Sequence, residues 1–198
     1  MQNSQPAVYR RKSSGLSHFF EHSPARTYNA ILDLGGLNQE NVNFLGHLGC
    51  RIHALDLLSD FDDFRHELPT GKFDSAAAEQ FVHRHLKFEP EQFDAILAWD
   101  ALEHLDLQLL SKLVPWLNHI LAPGGGLLTF FHTQSRGATV PVYRYLIEDT
   151  DVLTLRVHQE RILPQTFSNR NLENLFGSFN SIKFFLTRDS LREVIAVR

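Results

Sequence analysis

The feature that most constrains the fold of this chain is an alternation of short apolar runs with helix-length segments from Ala30 onward. Each run has the length and composition of a buried strand, and enough chain separates consecutive runs to form a helix. The runs are Ala30–Leu34, Arg51–Leu55, Phe93–Trp99 and Gly126–Phe131. Because this alternation is typical of βαβ units, we predict an α/β domain with a mostly parallel sheet and helices on both faces.

The segments around these runs carry turn and helix signals. Residues 38–48 have helical apolar spacing and end at Gly49, and residues 107–121 do the same and end at the Pro-Gly-Gly-Gly turn that starts at Pro123. Near the end of the chain, Ile182–Leu186 and Leu191–Val197 flank Thr187-Arg188-Asp189-Ser190, which predicts an antiparallel hairpin. Together these elements predict a Rossmann-like, doubly wound sheet of seven strands, with Leu191–Val197 antiparallel to its neighbours.

The domain organisation follows from where this pattern is interrupted. Residues 1–14 are polar and contain a basic cluster, which favours a flexible tail, and residues 15–198 form the predicted domain. Residues 15–25 have the spacing of a short helix that could cap a pocket. Residues 132–167 form a long aromatic-rich insertion, for which we predict a hairpin that acts as a lid or substrate wall over the strand ends.

Composition excludes several classes of protein. The 198 residues suffice for one domain with a sizeable core, and a net charge of −4 argues against a nucleic-acid binder with a broad basic face. We expect no membrane association, because no apolar run approaches the length of a span and the first residues lack a signal-peptide core. The single cysteine, Cys50, forms no internal disulfide and reads as a small core residue, so we expect a cytoplasmic protein.

Chemistry-bearing residues cluster where predicted strands end. Gly35 and Gly36 follow the first run and lead into a helix whose N-terminal amides can face a ligand. Asp56 ends the second run about 20 residues later, which suits a carboxylate that binds two ribose hydroxyls. Trp99 and Asp100 end the third run. Since ligands of open α/β sheets bind at the carboxyl ends of strands, these residues predict a nucleoside-binding site.

The ordered set of segments resembles one family. "ILDLGG" with "RIHALDL", "FDAILAWDALEHL" with "LAPGGGLLTF", and "IKFFLTRDSLREVIAVR" are similar to successive strands of class I S-adenosylmethionine-dependent methyltransferases. The resemblance covers residues 30–198 in the expected order. It implies S-adenosylmethionine as the cofactor and methyl transfer to a small-molecule acceptor.

The resemblance also implies roles for individual residues. The start of the family's glycine loop holds the methionine part of the cofactor, the acid after the second strand binds its ribose, a later acid lies near the adenine amine, and the end of the fourth strand lies near the sulfonium. The matching positions are Asp33, Leu34, Gly35, Gly36, Asp56, Leu57, Asp74, Trp99 and Asp100.

The chain departs from the family at the rest of the glycine loop, where Leu37 and Gln39 stand in place of glycines. A left-handed backbone at Leu37 would cost about 1–2 kcal/mol, unless Gly36 takes over the turn. A second interpretation is therefore a non-catalytic binding or scaffold protein with a weakened cofactor site. A third, an NAD-dependent oxidoreductase, fits the terminal hairpin and "WDALEHL" less well.

Residues beside the predicted site are candidates for contact with the substrate, namely His104, His132, Gln134 and Tyr143. We interpret Glu103 and His104 as structural rather than as an acid/base pair or a metal ligand set. His83 and His85 lack neighbouring cysteines or clustered carboxylates, which favours exposed histidines over a metal site. The sequence analysis therefore predicts no metal.

Overall fold

The computed structural model describes residues 7–21, 29–186 and 190–198. In these residues the strands are β1 (Val8–Lys12), β2 (Ala30–Asp33), β3 (Arg51–Ala54), β4 (Phe93–Trp99), β5 (Leu121–His132), β6 (Thr139–Asp149), β7 (Val152–Ile162), β8 (Ser181–Phe185) and β9 (Leu191–Val197). The α-helices are α1 (Ser14–Glu21), α2 (Gln39–His47), α3 (Leu57–Glu67), α4 (Ser75–His85), α5 (Leu107–Ile120) and α6 (Asn169–Leu175), and a 3-10 helix spans Ala101–His104.

The main sheet has the strand order β3-β2-β4-β5-β9-β8. The first four strands are parallel, and β9 is antiparallel to both β5 and β8, so the prediction for Leu191–Val197 is confirmed. Of the predicted hairpin turn, residues 187–189 lie outside the described part of the chain. Within the described part the sheet has six strands rather than seven. The short connection from α3 to α4 turns at Gly71, with φ of +62°, and enters α4 without forming a strand.

A second sheet of three strands, in the order β1-β7-β6, contains the insertion after β5. β6 and β7 form an antiparallel hairpin, and β1 pairs with the free edge of β7 from Val8 opposite Arg156 to Lys12 opposite Val152. Residues 8–12 are therefore an ordered strand, unlike the flexible tail expected from the sequence. The expectation failed because a polar, half-exposed edge strand has the composition of a tail and is identified only by its partner.

Helices and the second sheet cover opposite faces of the main sheet. On one face α3, α4, α5 and α6 bury a large apolar cluster that includes Phe64, Phe81 and Leu113. On the other face α1, α2 and the β6–β7 hairpin bury a second cluster that includes Leu16 and Leu153. The helix predicted over 15–25 corresponds to α1, which lies against this face of the sheet; residues 22–25 fall outside the described chain.

The glycine-rich end of α5 differs from the simple turn expected there. Leu121 begins β5 directly after α5, and the glycines lie in a stretch of β5 where the pairing with β4 shifts register. A Cβ on Gly125 would lie 2.8 Å from the Ala122 carbonyl oxygen and 3.0 Å from that of Asp94, so only glycine fits this close backbone approach. None of the helices in the described residues is long and apolar enough to cross a membrane.

Candidate functional site

A cavity of about 290 Å³ lies at the carboxyl ends of β2 and β4, beneath the β6–β7 hairpin. Its lining includes, from the main sheet and the helices that follow it, Leu34, Gly35, Asp56, Leu58, Trp99 and Asp100, and from the hairpin Tyr143, Arg144, His158 and Arg161. A larger cavity of about 510 Å³, between α5 and α6, contains none of the predicted site residues. The topology therefore brings the ends of β2 and β4 and the start of α3 together, as the sequence predicts.

The loop after β2 turns at Gly36 and not at Leu37. Gly36 has φ of +84°, and among described non-glycine residues only Glu91 and Trp99 have positive φ. The Leu37 side chain is 77% exposed and is absent from the cavity lining. The strain expected from a leucine at the family's glycine position is thereby avoided, because the turn moves by one residue.

Position 35 must be glycine, because an aromatic ring lies close to its backbone. A Cβ at Gly35 would lie 2.5 Å from Cδ1 of Trp99. The Trp99 indole is buried, stacks on Tyr145 with a centroid separation of 5.0 Å, and donates a hydrogen bond of 2.6 Å to Asp33. Because the ring is held on both its face and its edge, it has no room to move away.

The variant Gly35→Ala is expected to destabilise the protein by about 1–3 kcal/mol, the usual cost of an overpacked core site. Gly46→Ala is the matched control: it lies in α2 with no heavy atom within 4 Å of the added Cβ. That change is expected to stabilise by about 0.5–1 kcal/mol, because alanine favours a helix interior. Urea unfolding of both variants measures the difference, and equal effects would contradict the role of the Trp99 contact.

Asp33 organises the loop from below the cavity. Its carboxylate accepts hydrogen bonds from the Gly35 amide at 2.9 Å, from Trp99 Nε1 at 2.6 Å and from Asn41 Nδ2 at 3.3 Å. Burial raises the pKa of Asp33, and these three donors oppose that rise. The residue thus fixes the positions of Gly35 and of the Trp99 ring rather than lining the cavity itself.

Asn41 is a structural residue of the site that sequence reasoning missed. Its side chain is buried in α2, where Nδ2 donates to the Tyr145 carbonyl at 2.9 Å and Oδ1 accepts from the Ile147 amide at 2.8 Å. These bonds tie α2 to β6. The sequence did contain a signal that this position is buried: Asn41 lies four residues before Leu45 and so shares the buried face of the helix.

Asp56 lines the cavity and also begins α3. Its Oδ1 caps the helix by accepting a hydrogen bond of 3.1 Å from the Ser59 amide, and Oδ2 faces the turn at Gly36. Leu57, the neighbouring residue predicted for the site, is fully buried in the core and absent from the cavity lining, where Leu58 lies instead. The first residue of a helix and the next point in different directions, and the sequence did not fix which faces the ligand.

Asp74 is not brought to the cavity. Its side chain caps α4 by accepting a hydrogen bond of 2.8 Å from the Ala77 amide, and it is absent from the cavity lining. An aspartate just before a helical segment is a common N-cap, and this local role accounts for the residue. The predicted contact with an adenine amine therefore has no support in the geometry.

A buried polar cluster lies behind the cavity wall, at the end of β4 and the start of the 3-10 helix. Burial, and next the charge of Glu103, raises the pKa of Asp100 to about 7. Burial also raises the pKa of Glu103, whose carboxylate accepts a 2.7 Å hydrogen bond from the His132 amide and contacts His132 Nδ1. Burial lowers the pKa of His104 to about 3, so that imidazole is neutral near pH 7.

Of the four residues predicted to contact substrate, only Tyr143 lines the cavity, and its backbone amide donates to Asp100 Oδ2 at 3.0 Å. His104 and His132 lie in the buried cluster, and Gln134 is outside the lining. The hairpin that follows β5 supplies one side of the cavity, and the main sheet with the helices after its strands supplies the larger share of the lining.

The hairpin contributes charged residues that the sequence did not single out. Arg161 of β7 forms a paired contact with Asp62 of α3, including a hydrogen bond of 3.2 Å to Oδ1, and both residues line the cavity. Arg144 and His158 lie beside them. No local pattern identifies such pairs, since Arg161 and Asp62 are 99 positions apart in the chain.

Comparison with known families agrees with this geometry. A family model described as a methyltransferase domain matches residues 7–180, from just before β1 to the end of the segment before β8. The chain belongs to this methyltransferase domain family. The matched range includes the β6–β7 hairpin, so this methyltransferase domain carries the second sheet within the family region. No curated protein sequence matches the chain at a significant level.

Several solved structures with similar folds are methyltransferases. A SAM-dependent methyltransferase from Methanosarcina mazei is 12% identical with a TM-score of 0.55, over 95% of this chain and 99% of that one. One from Leishmania major is 17% identical with a TM-score of 0.53, over 93% and 70%. The 1,6-didemethyltoxoflavin-N1-methyltransferase of Burkholderia thailandensis, crystallised with 1,6-didemethyltoxoflavin and S-adenosylhomocysteine, is 13% identical with a TM-score of 0.51, over 93% and 77%. These likenesses establish the methyltransferase fold.

Proposed function

We propose that the protein is an S-adenosylmethionine-dependent methyltransferase that acts on a small-molecule acceptor. The observation that carries this proposal is the cavity at the carboxyl ends of β2 and β4, bounded by the Gly35-Gly36 turn and by Asp56. Its volume of about 290 Å³ lies near the lower end of ligand pockets, which span about 300–1,000 Å³. The family to which the chain belongs is consistent with this activity.

The residues present suit the cofactor's polar groups. Asp56 Oδ1 accepts from Ser59, which leaves Oδ2 to accept a ribose hydroxyl. The Gly35 and Gly36 amides already donate to Asp33 Oδ1 and to the Leu55 carbonyl, so the turn shapes this edge of the cavity. When bound, the cofactor would supply an activated methyl group to a nucleophilic atom of the acceptor. The chain's own contribution is to orient the acceptor and exclude water.

A small-molecule acceptor is supported by how the cavity is enclosed. The β6–β7 hairpin lies over the strand ends, and the Arg161–Asp62 contact joins it to α3 across the cavity. A macromolecular acceptor would need an open surface at this point, whereas a small molecule needs only a movement of the hairpin. The proposal therefore includes a role for residues 132–167 as a lid over the cavity.

A second candidate function, a non-catalytic methyltransferase-like protein, is favoured by the Trp99 ring. The indole lies directly against Gly35 and shares the Asp33 carboxylate with two other donors. If cofactor binding requires space that this ring fills, the protein keeps the fold without the activity.

Asp56→Ala tests the proposed function. Loss of a charge-assisted acceptor is expected to weaken S-adenosylhomocysteine binding by about tenfold to a hundredfold, equivalent to roughly 1.5–3 kcal/mol. The measurement is calorimetric titration of wild type and variant with S-adenosylhomocysteine, together with thermal melting with and without ligand.

Asp74→Ala is the matched control for that experiment, because Asp74 also caps a helix by accepting one backbone amide but is absent from the cavity lining. Each variant should lose about 0.5–2 kcal/mol of stability with its cap, and only Asp56→Ala should lose affinity. Absence of binding to wild type at millimolar ligand would favour the non-catalytic protein. Equal affinity in wild type and Asp56→Ala would remove Asp56 from the cofactor site.

A further inference from the structure

The two sides of the cavity at the ends of β2 and β4 differ in charge. Arg144, His158 and Arg161 line it from the β6–β7 hairpin, and no acidic residue of the hairpin is among the described residues of the lining. The acids of the lining lie on the opposite side, at the end of β4 and in or just before α3, and are Asp56, Asp62 and Asp100. The hairpin therefore presents a basic wall to the space in which we place the acceptor.

Each acid of that opposite side already accepts a hydrogen bond from the protein. Asp62 receives the Arg161 guanidinium, with a hydrogen bond of 3.2 Å from Nη1 to Oδ1 and a second contact to Oδ2. Asp100 Oδ2 accepts from the Tyr143 amide at 3.0 Å, and Asp56 caps α3. The charge of Arg161 is thus compensated across the cavity, and its paired donors are used by Asp62.

Arg144 lacks such a partner. It is half-buried, and within residues 7–21, 29–186 and 190–198 its guanidinium makes no hydrogen bond and no ion pair. In the same part of the chain, His158 on the neighbouring strand has no hydrogen bond or ion pair either. A guanidinium carries five N–H donors and stays protonated in proteins, so an unpaired arginine in a cavity wall favours an anionic ligand.

The position of Arg144 in the second sheet adds to the cost of leaving it unpaired. It lies directly opposite Arg156 in the antiparallel pairing of β6 with β7, and like charges in that position destabilise a sheet. Arg156 has a contact of 3.5 Å with Glu40, whose side chain is 52% exposed, and among the described residues Glu40 forms no ion pair with Arg144. An anion bound at Arg144 would relieve this repulsion and compensate the unpaired charge.

We propose that the acceptor carries a carboxylate or phosphate group and that Arg144 binds this group, with His158 as an adjacent donor. The proposal rests on the proposed function and names its substrate class, an anionic small molecule. The planar guanidinium donates two parallel hydrogen bonds to either group, which a lysine ammonium does not reproduce. Arg144 is then the residue of the hairpin that selects among acceptors.

The backbone on both sides of Arg144 is held in place. The Tyr143 amide is bonded to Asp100 at the end of β4, and the Tyr145 carbonyl accepts a hydrogen bond of 2.9 Å from Asn41 of α2. These bonds fix the strand that carries the arginine relative to the main sheet, which lowers the entropy cost of binding a ligand there. An acceptor bound in this way is oriented by the hairpin rather than by the loop after β2.

The test is thermal melting of the full chain during titration with sodium phosphate and, separately, with sodium acetate, at an ionic strength held constant with sodium chloride. Wild type is expected to show a saturable rise in melting temperature, which gives the dissociation constant of each anion, and the tighter anion identifies the acceptor's group. Arg144→Gln should weaken its binding by about tenfold to a hundredfold, and Arg144→Lys by less, since the charge is kept. Arg170→Gln is the matched control and should bind as wild type does, because Arg170 is an exposed arginine of α6 that is absent from the cavity lining and has no ion pair in the described residues.

The proposal is overturned if wild type shows no saturable rise, or if Arg144→Gln shows an equal one, which would reflect general stabilisation by the salt. Without added anion, Arg144→Gln should melt no lower than wild type, because the repulsion from Arg156 is removed; a clearly lower value would assign the arginine a structural partner and also overturn the proposal. Loss of anion binding in saturating S-adenosylhomocysteine would assign Arg144 to the cofactor's own carboxylate instead. Titration with S-adenosylhomocysteine in the absence of both anions tests the proposed function separately: if only the anion binds, the proposed function fails and the anion site remains.

Discussion

Replacing Glu193 by alanine is expected to lower the free energy of unfolding by about 3–5 kcal/mol, because it leaves a buried arginine without its carboxylate. Glu193 lies on β9 with a fully buried side chain and pairs with Arg11 of β1, whose side chain is 10% exposed. The carboxylate also accepts from Ser13 Oγ at 3.0 Å and from the Gly15 amide. One acid thus ties β1 and the start of α1 to the main sheet.

The ion pair of the preceding residue, Arg10, supplies the matched control. Arg10 pairs with Glu148 of β6, and the two side chains are 69% and 39% exposed. Because exposed ion pairs contribute about 0–1 kcal/mol, Glu148→Ala should have a small effect. Denaturant unfolding of both variants gives the comparison. A loss below about 1 kcal/mol for Glu193→Ala would mean that β1 contributes little to the stability of the fold.

Trp99→Ala is expected to destabilise the protein by about 3–5 kcal/mol, the usual cost of truncating a buried aromatic side chain. The indole is 2% exposed, stacks on Tyr145 and Phe130, and donates to the buried Asp33 carboxylate. Removing it creates a cavity and also takes one donor from Asp33. The backbone strain at position 99, where φ is +49°, is retained by alanine and so does not offset the loss.

Trp116→Ala is the control for this experiment, because Trp116 is only partly buried and its indole donates to the Leu86 carbonyl at 3.1 Å. Its truncation should cost clearly less than that of Trp99. Titration of Trp99→Ala with S-adenosylhomocysteine also separates the two candidate functions. Weaker binding is expected if the ring supports the Gly35 loop, whereas tighter binding would show that the ring occupies space the cofactor needs.

Much of the architecture could be predicted from the sequence because local patterns carry it. The runs Ala30–Leu34 and Phe93–Trp99 are buried strands in the structure, and Gly49 ends α2 with φ of +81°. Parallel strands joined by helices have few arrangements, so recognition of the alternation predicts a doubly wound, mostly parallel sheet. The described residues give the main sheet six strands, against the seven expected, and the six runs singled out in the sequence account for all six.

The candidate site was predicted less completely. Gly35, Asp56, Trp99 and Asp100 line the cavity because the ends of parallel strands meet at one edge of a sheet. Leu57 and Asp74 were assigned by position along the chain, but Leu57 is buried in the core and Asp74 caps a helix. The direction of a side chain at the first turn of a helix depends on where the helix begins, and motif spacing does not fix that residue.

The sequence by itself determined the α/β class and the strand ends that carry the site, because each depends on periodicity or spacing within a segment, and it determined the family resemblance through the order of several segments. The tertiary structure alone decided the pairing of Arg11 with Glu193, the position of the Trp99 ring against Gly35, and the approach of Asn41 to β6. These contacts join residues 64 to 182 positions apart, and their partners are chosen by packing against the same sheet. Burial then sets their energies, since a charge or hydrogen bond matters most where water is excluded.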